Sequence, residues 1–299
     1  MTINSAIVER AKAGELLTAA ELDELGSVDV LSLGMLADEV RRARVGDSVT
    51  YTRVVDFPGG AGTASVANAE LRLSPLPDSL DAAEALIAES RMLAGAQLLT
   101  GFSLADIVDR RWGDLADVLR RLKRAGLDAL VEAPVDRIAD IAAFKAARDT
   151  GLAVRALSLQ KPVGGRRTEY LMTVRSIVHA LPALQTVAPL PREQSIAVPT
   201  TGYEDVRAVA LSRLALPTVR NIQVDWTQYG PKLAQVALTF GANDLDRVST
   251  VDDESLGRRR TAVEDVRRNI SAAGFTPVES VLTASFEAPP GGASRLDQG

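Results

Sequence analysis

From Val49 onward, short apolar runs of β type alternate with amphipathic stretches of helical period, and that alternation restricts the fold more than any other feature. The predicted strands are Val49–Val55, Leu71–Ser74, Gln97–Phe102, Ala129–Ala133, Ala153–Leu159, Gln185–Leu190 and Asn221–Trp226. Between and after them the spacing predicts helices over Leu80–Leu93, Asp114–Ala125, Ile138–Asp149, Glu169–Leu181, Tyr203–Leu214 and Lys232–Leu238. Strand and helix in regular turn bury a sheet under crossover helices, the signature of parallel α/β architecture. Periodicity alone leaves a closed barrel and an open doubly wound sheet equally available. No GxGxxG follows the first predicted strand, so a dinucleotide-binding reading has no motif behind it.

Helices are predicted over Ser5–Leu17 and Val28–Arg44, with Thr18-Ala-Ala-Glu21 spaced as a capping box for a short one between them. They form an N-terminal helical extension over residues 1–48, ahead of an α/β body over 49–286. A last helix is expected at Ala262–Ala273, and Pro277–Phe286 reads as a terminal strand or extended tail. The Pro/Gly-rich end, residues 287–299, is expected to be disordered.

Composition excludes several function classes. A net charge of −5 leaves no basic excess for nucleic acid or an anionic membrane surface. No apolar run reaches the roughly 18–20 residues of a membrane span, and the first residues lack a signal-peptide pattern, so cytoplasm is the expectation. The chain has no Cys, which removes disulfides and thiolate metal sites together. His179 is the single histidine, so no multi-His metal site is expected.

The run IQVDWTQYGPKLAQVALTFGAND, over Ile222–Asp244, resembles the C-terminal part of the radical S-adenosylmethionine (radical SAM) enzymes of the futalosine menaquinone pathway and of deazaflavin-cofactor assembly. The likeness extends back through QTVAPLPREQSIAVPTTGYEDVRAVALSRLALPTVRN. GELLTAAELDELGSVDVLSLGMLADEVRRARVGDSVTYTRVVD is similar to the helical lead-in of aminofutalosine synthase and its relatives. LADVLRRLKRAGLDAL is similar to their helix and fourth strand, and VRRNISAAGFTPVES to their close. Coverage runs from Gly14 to Ser280, and the fold implied is a TIM-like (β/α) barrel of radical SAM type.

The departures from that family lie around one site. Its members hold an iron–sulfur cluster through a CxxxCxxC loop, because iron in such clusters is ligated by thiolates. Here Asp56 leads almost directly to Glu70 through a cysteine-free stretch, so the first βα unit is shortened. Ser74-Pro-Leu-Pro77 and Glu132-Ala-Pro-Val-Asp136 replace glycine-rich stretches, and Arg155-Ala-Leu-Ser-Leu159 replaces a threonine-rich strand. Neither cluster nor reductive cleavage of S-adenosylmethionine is expected, and no cofactor is assigned.

In a barrel, residues just after strands gather at the C-terminal mouth. Asp106 and Asp136 are candidate catalytic acids there, where paired carboxylates act as acid and base. Helix capping is their plainer role, as it is for Asp56 and Glu132. Arg53 and Arg155 are candidate cations for a ligand carboxylate, and Asp225 and Trp226 offer a hydrogen bond and a stacking face. Asn243, within Gly241-Ala-Asn-Asp244, either binds a ligand or locks the turn. Gln160 flanks the fifth strand with Arg155, and Lys161 follows it. Pro58–Gly62 is a glycine-rich loop, either an anion cradle or a bridge left by the shortening. His179 falls at the edge of its helix's apolar face and is expected to be exposed; Arg258-Arg-Arg260 reads as a solvated cluster.

Two functions are compatible with this pattern. One is a non-catalytic homologue linked to the futalosine pathway, acting as a binding or partner subunit of an active radical SAM homologue. The other is a cluster-free enzyme that works on a futalosine-like planar acidic substrate with carboxylates and Arg at the mouth.

Overall fold

Three helices precede the first strand: α1 (Ser5–Ala13), α2 (Ala19–Ser27) and α3 (Val30–Val45). The structure, a computed structural model, describes residues 3–58, 68–138, 140–193, 201–250 and 262–280. Thr18 caps α2 as its spacing predicts: its hydroxyl accepts from the Glu21 amide, and Glu21 accepts from the Thr18 amide at 2.7 Å. Helix α3 lies close against the chain at Phe240. Gly34 makes this approach available, since a Cβ there would come within 2.5 Å of the Phe240 ring.

The remaining elements alternate. They are β1 (Ser48–Phe57), β2 (Glu70–Leu73), α4 (Leu80–Ala94), β3 (Leu99–Ser103), α5 (Leu104–Arg110), α6 (Leu115–Ala125) and β4 (Ala129–Pro134). Next come α7 (Ile141–Thr150), β5 (Ala153–Leu159), α8 (Arg167–Ala180), β6 (Thr186–Pro191), α9 (Gly202–Ala215) and β7 (Asn221–Asp225). The series ends with α10 (Trp226–Leu238), β8 (Asp244–Ser249), α11 (Ala262–Ala272) and β9 (Thr276–Glu279). Gly230, at φ 74°, breaks α10 ahead of Pro231, so its second piece begins where the sequence places a helix.

Every strand pairing is parallel, and β1 bonds to both β2 and β8, closing the barrel. That closure selects the barrel over the open sheet. The seam at β1 is divided. The edge of β1 opposite β8 takes β9 along Ser48–Tyr51 and β2 only along Val54–Phe57. A barrel shortened at its first unit thus keeps its mouth closed through β2, while the C-terminal strand fills the base. The expected strand at Pro277–Phe286 is present as Thr276–Glu279, and residues 281–286 and the tail over 287–299 lie outside the described residues.

One irregularity governs the interior. Pairing of β1 with β8 runs Tyr51 to Leu245 and then Arg53 to Val248, so β8 carries an extra residue. Arg247 sits in this bulge at φ 55°, left-handed for a non-glycine residue. A regular strand sends neighbours to opposite faces, whereas a bulge re-aims one of them. Asp246 and Arg247 therefore both serve the inside of the barrel. Among the described residues, no helix is long and apolar enough to cross a membrane.

Candidate functional site

The barrel interior holds two charged layers. The deeper one is centred on Arg72 of β2. Its guanidinium donates to both oxygens of Asp246, at 2.9 and 3.0 Å, and to Glu70 Oε1 at 2.9 and 2.7 Å. Thr100 adds a hydroxyl donor to the same Glu70 oxygen at 2.6 Å, and Arg155 Nε approaches Glu70 Oε2 at 3.3 Å. Burial alone would push the Asp246 carboxyl up. The Arg72 guanidinium outweighs it, with Arg192 and Arg155 in support, and holds that carboxyl well below the usual carboxylate range. This layer is largely buried, and Arg72 also lines the cavity above it.

Above it, at the C-terminal mouth, lies a cavity of about 520 Å³, within the usual range for small-molecule pockets. Its walls differ. Leu73, Pro75, Leu76, Phe102 and Val131 make an apolar side, and Glu132, Arg192, Asp225, Arg247 and Asp56 make a charged one. The charged residues alternate in sign around the rim. Arg192 Nε donates to Glu132 Oε2 at 2.6 Å, and Arg247 Nη2 to Asp56 Oδ2 at 2.8 Å. Between them stands Asp225. Its Oδ1 accepts the Gln228 amide at 2.8 Å, capping α10, but its Oδ2 lies 3.7 Å from Arg192 Nη1 and 3.7 Å from Arg247 Nη1. Neither distance is a hydrogen bond. Burial pushes the Asp225 carboxyl up, with Asp246 adding to the effect. Phe102 and Arg247, two mouth residues with positive φ, bound the cavity; strained backbone of this kind clusters at functional sites.

The sequence candidates fall into distinct places. Asp106 and Asp225 line the cavity. Asp106 is paired with Arg137 at 2.7 Å, which also binds Asp109. Asp136 accepts the backbone amides of Gln160 and Lys161 at 2.8 and 3.0 Å, clasping the β4 and β5 loops together. Arg155 belongs to the deeper layer. Arg53 pairs with Glu279 of β9 at 2.7 Å, at the seam. Trp226 opens α10 and packs against the core, outside the cavity lining. Gln160 lines the cavity and donates to Glu193, while His179 is exposed near the end of α8. The Pro58–Gly62 loop beyond Pro58 and Arg258–Arg260 lie outside the described residues.

Asn243 sits at the opposite end of the barrel. Its Oδ1 accepts from Arg213 at 2.5 Å and from the Ile222 amide at 2.9 Å, and its amide donates to Asn221 at 3.1 Å. Arg213 is fully buried and donates to the Gly241 carbonyl at 2.9 Å. Burial, with Arg44 and Arg41 nearby, pushes its guanidinium down to about 9. Gly241, at φ +103°, packs against the Arg213 stem where a Cβ would come within 2.9 Å. The Gly241–Asp244 motif therefore locks the base of β7 and β8, which accounts for its form without a ligand.

Sequence reasoning missed three arginines that organise the interior: Arg72 in the deeper layer, and Arg192 and Arg247 at the mouth. The Glu70-Leu-Arg72 spacing, two residues apart in a strand, was a usable signal that both face one side. The bulge that turns Arg247 inward leaves no periodic trace.

Residues 182–287 match the family model described as the CofH/MqnC C-terminal region. The C-terminal part of the barrel is similar to CofH- and MqnC-type proteins. A 5-amino-6-(D-ribitylamino)uracil–L-tyrosine 4-hydroxyphenyl transferase of Methanosarcina mazei is 31% identical over 199 residues, covering 54% of this chain and 52% of the relative. With that relative the match spans about half its length. The transferase of the same name from Archaeoglobus fulgidus is 25% identical over 309 residues, covering 81% of this chain and 90% of the relative. Among solved structures, methylornithine synthase (PylB) superposes with a TM-score of 0.65 at 15% identity, covering 91% of this chain and 97% of that one. The [FeFe]-hydrogenase maturase HydG gives 0.64 at 12% identity, with coverage of 94% and 76%. These two establish a shared barrel fold. The likeness to the CofH/MqnC-like radical SAM family stands, and the transferases named here are not aminofutalosine synthases.

An iron–sulfur cluster does not fit the residues present. The chain has no thiolate to offer, and the mouth carboxylates Asp56, Glu132 and Asp106 are each bonded to an arginine. Among the described residues no group of His, Asp or Glu is arranged to hold a metal ion.

Proposed function

We propose that the protein is a cluster-free, non-catalytic relative of the CofH/MqnC-like radical SAM proteins that binds a small ligand at its barrel mouth and serves as a binding or partner subunit of an active homologue. The observation that carries this reading is the pairing of a cysteine-free chain with a half-apolar and half-charged mouth cavity. Fold likeness alone transfers function poorly, so the reading rests on the site. The link to futalosine-dependent menaquinone synthesis is supported by the resemblance over 185–244. The names of the transferase relatives support an alternative setting, a 4-hydroxyphenyl transfer involving 5-amino-6-(D-ribitylamino)uracil and L-tyrosine.

The partner role is tested by affinity purification of the full chain from its native host. A stoichiometric cysteine-bearing homologue of the same family is expected in the eluate; repeated recovery of the chain alone argues against it. A second reading, a cluster-free enzyme acting on a planar acidic substrate, is favoured by Asp225, a buried acid in the cavity wall. Metal-free turnover of such an acid that disappears in Asp225→Asn would select that reading.

A further inference from the structure

The gap at Asp225 has a consequence for what the mouth accepts. The cavity carboxylates Glu132, Asp56 and Asp106 each make a direct bond to a guanidinium, at 2.6–2.8 Å. Asp225 Oδ2 makes none with the two guanidinium groups flanking it at 3.7 Å, because each is drawn towards another acid. Arg192 turns to Glu132 on β4, and Arg247 to Asp56 on β1. Between two cations there is thus room for an acceptor that Asp225 does not fill. Across the cavity stand Leu73, Phe102 and Val131, which suit an apolar body.

The geometry points to a small carboxylic acid with an apolar body as the ligand, its carboxylate seated between Arg192 and Arg247 while Asp225 takes up one proton. This inference rests on the mouth being a binding site, as proposed above. Two ionised carboxylates cannot share so small a space without strong repulsion, and the usual outcome is that one of them keeps a proton. Asp225 is the one placed to do so. Asp246 behind it on β8 is held ionised by Arg72, and Glu132 and Asp56 each hold an arginine. From its own helix Asp225 meets the neutral Gln228, and Tyr229, whose hydroxyl donates to the Pro191 carbonyl at 2.6 Å. Burial already pushes the Asp225 carboxyl up before any ligand arrives. Once protonated, it donates a hydrogen bond to the incoming carboxylate instead of repelling it, and Arg192 and Arg247 supply charge-assisted bonds.

Benzoate is the probe, with benzamide as its uncharged counterpart of similar shape. Titration calorimetry on the full chain in buffers of different ionisation enthalpy, between about pH 5 and about pH 8, reads both affinity and proton uptake. Benzoate is expected to bind at least about tenfold more tightly than benzamide. It should take up as much as about one proton per site, with affinity falling as pH rises. In Asp225→Asn, whose amide stands in for the protonated acid, benzoate should still bind, with proton uptake lost and the pH dependence flattened. Arg192→Gln should lose at least about tenfold in benzoate affinity and little for benzamide. Equal binding of benzoate and benzamide without proton uptake overturns the carboxylate assignment and leaves the mouth a binding site. Unaltered proton uptake in Asp225→Asn overturns the role of Asp225. If a folded chain binds neither probe at any pH, the carboxylate proposal falls, and the wider binding reading loses its support as well.

Discussion

Two carboxylate–guanidinium arrays are stacked in one barrel, and they are built to different standards. In the deeper array Arg72 holds Asp246 through two bonds and Glu70 through two more, all at 2.7–3.0 Å and out of solvent. In the upper array the charges alternate just as regularly, but its central acid stands 3.7 Å from both neighbours beside an open cavity. In a buried array whose members are bonded to one another, removing one member strands the others. An array with a loosely held centre has capacity to spare. The contrast suits the deeper layer to the scaffold, and under the proposed function it suits the upper one to binding.

The largest expected effect comes from breaking the deeper array. Asp246→Asn leaves the buried Arg72 with half its charged partners and should cost about 3–5 kcal/mol in urea unfolding. Asp225→Asn should leave stability near neutral pH unchanged or slightly higher, because ionised Asp225 is disfavoured by burial. Equal losses in the two variants would erase the distinction between the layers. At the base, Gly241→Ala sets a side chain at φ +103° against Arg213 and should cost about 1–3 kcal/mol, read as a lower Tm with the mouth's binding retained.

The pH dependence separates the arrays by sign. The native-state pKa of Asp246 is depressed, so its contribution is present above the unfolded value of about 3.9 and is lost as pH falls through the folded value. Asp225 is raised in the folded state. Ionising it opposes folding, so stability falls as pH rises from about 3.9 through its folded value. Urea melts across that window should show a smaller decline with rising pH in Asp225→Asn than in the parent chain. The smallest effect belongs to the rim: Arg137→Ala removes partly exposed pairs with Asp106 and Asp109 and should cost only about 0–1 kcal/mol.

Much of this scaffold was legible in the residue pattern, and for a physical reason. Apolar period and capping are local, so most strands, most helices and the Thr18–Glu21 box follow from neighbouring residues, while β8 (Asp244–Ser249) was not among the predicted strands. The short α5 went unseen because Leu104–Arg110 spans only two turns. Asp106 and Asp225 reached the cavity because one follows a strand and the other ends one, and strand ends converge in a barrel. Arg53 and Arg155 did not, because which side of a strand a residue faces, and how deep it lies, are set by register with distant strands. The division of the β1 edge between β2 and β9 diverted Arg53 to Glu279. Arg247 depended on a bulge that only pairing with β1 reveals.

The proposed function requires a barrel whose mouth operates without iron–sulfur chemistry. Anaerobic incubation with iron, sulfide, S-adenosylmethionine and a strong reductant probes this, with 5′-deoxyadenosine as the readout. Product at the level of the protein-free control is expected. Formation above that control, rising in proportion to added protein, would show that the chain does perform the chemistry it is proposed to lack.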